Sequence, residues 1–144
     1  MKVFFLLLFL SVSSLFSASI YTLDNVHDLS LYIDNQTNFM DKKELKDKVS
    51  AKLEKAGFVF GKTDALTLVI KIQSVDIEES MAISVFFGLG EEVVTHRQDD
   101  IETFSYTYVE TKLFEAYEPK EDTTEALNNL IDDFIEAYKD DNSE

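Results

Sequence analysis

The chain has 144 residues, 13 of them basic and 28 acidic, for a formal net charge of −15 at pH 7. A field of that sign repels nucleic acid and anionic lipid headgroups, so neither is expected as a direct partner. There is no cysteine, which excludes a disulfide framework, a thiol nucleophile, and the lipid anchor that a cysteine carries just behind a leader.

In chain order the first element is an export leader. Lys2 supplies the positive start, Val3 to Leu10 an unbroken apolar run, and Ser17-Ala18-Ser19 the small residues of a cleavage site. That is the layout of a cleaved Sec-type signal peptide over residues 1–19. A membrane anchor would need ~20 apolar residues, whereas Ser11, Ser13 and Ser14 interrupt this run early. Residues 20–144 are then expected to form a single domain, large enough to build a core without staples. Secreted animal domains of this size lean on disulfides, so the missing cysteines point to the bacterial periplasm, with secretion to the outside as the alternative. Asn35-Gln36-Thr37 matches the glycosylation sequon, which has little weight in a bacterial chain.

Residues 29–33 alternate as a first strand. The following stretch reads as a helix with both ends written in. Asp41 stands three residues before Glu44 as a capping box, and Met40 and Leu45 are placed as a hydrophobic staple. Leu45, Val49, Leu53 and Ala56 recur at helical spacing, and Gly57 ends the helix. A second strand carries Leu66, Leu68, Ile70 and Ile72 on one face and Val75 and Ile77 on the other. That change of parity predicts a bulge or bend near Gln73–Ser74.

"MAISVFF" is a third strand, with Met81, Ile83, Val85 and Phe87 on one face. A fourth, over residues 101–117, is too long for a compact domain, so it is expected to be bent, broken or half of a protruding hairpin. Pro119 is expected to end the strand region, with Asp122 and Glu125 as a second capping box. Leu127, Leu130, Ile131, Phe134, Ile135 and Tyr138 then form the apolar stripe of a closing helix, and residues 140–144 should fray. The order β-α-β-β-β-α predicts an α+β fold: a two-layer α/β sandwich with a mostly antiparallel sheet and two helices on one face.

Each candidate site has a plainer reading beside it. Gly88-Leu89-Gly90 lacks the third glycine and following helix of a dinucleotide fingerprint, and no Lys-Ser/Thr follows as in a phosphate loop. It reads as a turn between strands, with His96 and Arg97 as exposed loop residues. His27 beside Asp28 has no Gly-x-Ser-x-Gly serine to activate, and two histidines cannot build a usual zinc site. The pairs Glu78-Glu79, Glu91-Glu92, Asp99-Asp100 and Asp132-Asp133 read as solvated surface. In the run from Asp34, Phe39 and Leu45 stand where a calcium loop needs glycine and glutamate, although the carboxylates near the turn leave room for a looser, weak site. No catalytic, cofactor-binding or metal residues are therefore expected. Phe86, Phe87 and Leu89, ringed by Glu91 and Glu92, are the candidate contact with a protein partner, the rival reading being core packing.

One segment resembles a known pattern. "LKDKVSAKLEKAGFVFGKTDALTLVIKIQSVDI" runs helix, Ala-Gly-Phe, a short gap, Asp64-Ala65 and a long apolar strand. It resembles small envelope accessory proteins: the surface-exclusion (complement-resistance) lipoproteins and the auxiliary lipoproteins of lipid-trafficking ABC transporters. The absent lipobox cysteine departs from both groups. What the resemblance implies is a non-catalytic envelope protein that works through contacts with an envelope protein partner. The alternative expectation, from charge, is an acidic inhibitor or immunity protein that blocks a cationic enzyme.

Overall fold

The computed structural model describes residues 21–62, 65–97 and 99–143. The expected leader lies outside them, and the structural statements below concern the described residues. The elements are β1 (Asp28–Asn35), α1 (Lys42–Lys55), β2 (Val59–Phe60), β3 (Leu66–Ile77), β4 (Ser80–Val94), β5 (Glu102–Ala116) and α2 (Pro119–Asp141). They form one five-stranded sheet in the order β2-β1-β3-β4-β5. Both helices pack on one face of it, which is the α+β sandwich that the periodicities predict.

The sheet is mixed. β1 pairs in parallel with β3 and with the unforeseen two-residue β2. β3–β4 and β4–β5 are the long antiparallel ladders. Parallel neighbours need a crossover connection, and α1 supplies it between β1 and β3. The Asp41 side chain accepts a 2.8 Å hydrogen bond from the Glu44 backbone N–H, one of the donors a helix start leaves unpaired. Gly57, at φ +101°, provides the left-handed exit. Leu45, Val49 and Leu53 turn to the sheet and are buried.

α2 begins a turn earlier than the capping pattern placed it. Pro119 opens the helix instead of closing a strand, because a first-turn N–H has no partner within the helix and proline forfeits no hydrogen bond there. Asp122 reaches back to accept from the backbone N–H groups of Tyr117 and Glu118, at 3.1 and 3.0 Å. Nor does the far end fray as expected. Asp141 accepts from Leu23 N–H at 2.7 Å, and Asn142 donates to Leu23 O at 3.0 Å, tying the helix end to the incoming chain.

Along the inner sheet face Leu68, Ile70, Ile72, Ile83, Val85 and Phe87 have no exposed surface. They meet the helices through Leu53, Leu130 and Phe134. The gap between α1 and α2 holds only about 20 Å³, room for about one water and not for a lipid chain.

Candidate functional site

The first correction falls on the stretch from Ser84 to Asp100. Gly88-Leu89-Gly90 is not a turn. It lies inside β4, which runs unbroken to Val94. The turn comes later, between the ends of β4 at Val94 and β5 at Glu102, where Thr95 N–H donates to Ile101 O at 3.0 Å. His96 and Arg97 sit exposed there, as expected. The glycines serve another purpose, since a Cβ on Gly90 would come within 2.2 Å of the Phe104 ring. One on Gly88 would come within 2.9 Å of Phe86 and 3.0 Å of Tyr106. These are strand glycines roofed by aromatic rings.

The second correction concerns the bulge. β3 pairs with β4 without a break from Thr67–Gly90 to Ile77–Ser80, so its parity change is not a bend. Val75 and Ile77 instead remain on the outer face, 67% and 41% exposed. The irregularity is one ladder over. Leu89 faces Tyr108 but Gly90 faces Tyr106, which leaves Thr107 as the extra residue of β5.

The proposed contact residues are split by strand alternation. Phe87 and Leu89 point inward and are fully buried. Phe87 packs 5.4 Å, ring to ring, from Phe134 and 6.4 Å from Tyr108. They belong to the core, because the helices leave no surface there. Phe86 points outward and is partly exposed, Glu91 is half-buried and Glu92 exposed. Phe86, Glu91 and Glu92 keep accessible surface, and Phe87 and Leu89 do not.

What the outer face offers is a strip that the doublet did not reveal. The Lys71 ammonium lies 5.6 Å over the Phe86 ring. The Phe86 and Tyr106 rings meet edge-on at 5.2 Å, and those of Tyr106 and Phe104 at 5.6 Å. Further out stand Phe104 (50% exposed), Leu113 (77%) and Tyr32 (53%). Neither helix covers this face. The signal that would have found it is the spacing of Gly88 and Gly90 at i and i+2, opposite a strand with Phe104 and Tyr106.

The candidate titratable groups stay apart. His27 is exposed, with its Nδ1 3.2 Å from the Tyr138 hydroxyl, and Asp28 is held by Lys62 at 2.8 Å. Among the described residues no three His, Asp or Glu gather as a metal site. Burial pushes the Tyr108 hydroxyl well above the usual phenol range, helped by its 2.8 Å hydrogen bond to Glu110 and by the charges of Glu110 and Asp133. No described helix is long and apolar enough to cross a membrane. No family model matches the sequence, and comparison with curated proteins and with solved structures finds no match.

Proposed function

We propose that the protein is a non-enzymatic binding or accessory protein of the bacterial cell envelope, exported to the periplasm, which acts by docking to another protein. The observation that carries this is the outer sheet face, where aromatic rings and Leu113 stand in solvent beside a core that is already full. A monomer that buries its apolar residues so completely on one side has no packing reason to display them on the other. The leader over residues 1–19 and the resemblance of residues 45–77 to envelope accessory proteins support the same reading.

The test is a pull-down from envelope extract, with the protein exported by cells expressing the full chain as bait, at low and high salt. A partner retained at high salt and released by Leu113→Asp fits the apolar face, and an empty bait overturns the reading. The net charge of −15 favours a second reading, an acidic inhibitor of a cationic enzyme. Its complex would dissociate at high salt and be indifferent to Leu113→Asp.

A further inference from the structure

β5 is an edge strand, with no strand beyond it among the described residues. From Tyr108 to Ala116 its ladder with β4 is regular, so alternate residues of this nine-residue run present free backbone N–H and C=O groups along the border. Proteins usually blunt such an edge by shortness, a proline, a bulge or several lysines. Here the bulge is spent at Thr107, no proline falls within the strand, and Lys112 is its one basic residue. Alongside the same border runs an open cleft of about 620 Å³ between β5 and α2, floored by Phe114 and Ala126. Lys112 stands in this cleft 3.6 Å from Asp133 and is already matched. Asp122, Glu115 and Glu125 complete the wall, and Glu125 has no ion pair among the described residues.

We infer that the free edge of β5 accepts an extended segment of a partner protein as a sixth strand, its inward side chains basic beside the α2 wall and its outward ones apolar beside the exposed Leu113. This rests on the proposed binding role and names the surface and the chemistry of the partner. Backbone pairing supplies the affinity of such an addition and alternate side chains its specificity. Charge decides the occupant. A second copy joined edge to edge would bring the two α2 helices within ~10 Å, two strand spacings, and with them two acidic walls. A chain of net charge −15 disfavours that arrangement, whereas a cationic strand neutralises it.

The probe is a fluorescein-labelled nine-residue peptide of alternating Lys and Val, titrated by anisotropy against the exported protein. Two derivatives are N-methylated on all lysines or on all valines, and a Glu/Val peptide serves as control. In an added strand only one alternate set of N–H groups faces β5. The expected result is saturable binding, lost at least ~10-fold on one methylated set and kept on the other, with no binding of the Glu/Val peptide. Glu125→Lys, on an exposed helix position, weakens it ~10-fold with an unchanged circular dichroism spectrum. Equal binding of both methylated peptides means attraction by charge alone and overturns the inference, as does absence of binding. So does a dimer in sedimentation whose β5 amides are protected from exchange without peptide. An envelope partner captured equally by wild type and Glu125→Lys would remove the edge and leave the binding role standing. An empty bait removes the role itself.

Discussion

At the scale of single residues, the glycines of β4 make the sharpest claim. Gly90 is required by the Phe104 ring and not by its own backbone, which is not in the left-handed region. Gly90→Ala should therefore destabilise by about 0.5–1.5 kcal/mol, the cost of pushing the half-exposed Phe104 ring off its rotamer. The same change in a Phe104→Ala background should be neutral or stabilising, because alanine suits a strand better than glycine. Denaturant titration of the four-member cycle measures the coupling, and additive effects would sink the explanation. Tyr108 gives a second case. Its folded hydroxyl holds its proton far more tightly than an unfolded tyrosine, whose ordinary value is 10.0. Below that value both states are protonated and stability is flat. Above it the unfolded chain releases a proton that the folded one keeps, so stability falls by about 1.4 kcal/mol per pH unit from this group. Tyr108→Phe should flatten the alkaline limb of thermal stability between pH 10 and 11, and an unchanged slope would refute the assignment.

At the scale of elements, signals that act locally were legible and signals that act across strands were not. Asp41, Glu44 and Gly57 are matched to partners within a few residues, so α1 is written in its own sequence. Gly88 and Gly90 look like turn residues until Phe104 and Tyr106, on another strand, are known to lie over them. Val75 and Ile77 likewise imitate a bulge because sequence shows parity but not which face the helices leave bare. The candidate contact is divided for the same reason: Phe86 and Phe87 are adjacent in sequence and sit on opposite sides of the sheet. α2 shows the limit of capping patterns, since Asp122 matches one yet serves the turn before it. The two helix starts differ measurably. Asp41→Ala should cost about 1 kcal/mol, whereas Glu118→Ala should cost almost nothing, because Glu118 makes no side-chain cap hydrogen bond. Paired denaturation curves decide it, and equal losses would contradict the geometry.

At the scale of the whole molecule the dominant fact is unbalanced charge. With 28 acidic and 13 basic residues, most carboxylates have no cation to meet. The ion pairs that do form, such as Lys48–Glu44 and Lys52–Asp132, lie at the surface, where a pair contributes at most ~1 kcal/mol. Folding gathers the unmatched charges, and the repulsion among them reaches ~30 Å at 0.01 M salt but only ~8 Å at 0.15 M. Raising NaCl from 0.01 to 0.5 M should therefore raise Tm by several degrees, about 1 kcal/mol or more for a domain of this size. Mild acid should act the same way at first, by discharging carboxylates that repel one another. The gain has a floor, set by groups such as Glu44. Its hydrogen bond to Lys48, and after that the charge of Lys120, hold its pKa below the ordinary carboxylate value of 4.5. The stability it contributes is present above that value and is lost as pH falls through the folded one. Stability at low salt should thus peak in mildly acidic solution and then decline, and the peak should shrink in 0.5 M NaCl. A Tm that drops as salt is added would mean that the ion pairs outweigh self-repulsion. The same salt should weaken a cationic strand on β5 without releasing it, since backbone pairing is not screened, so opposite salt trends for folding and for binding are the signature of this charge distribution.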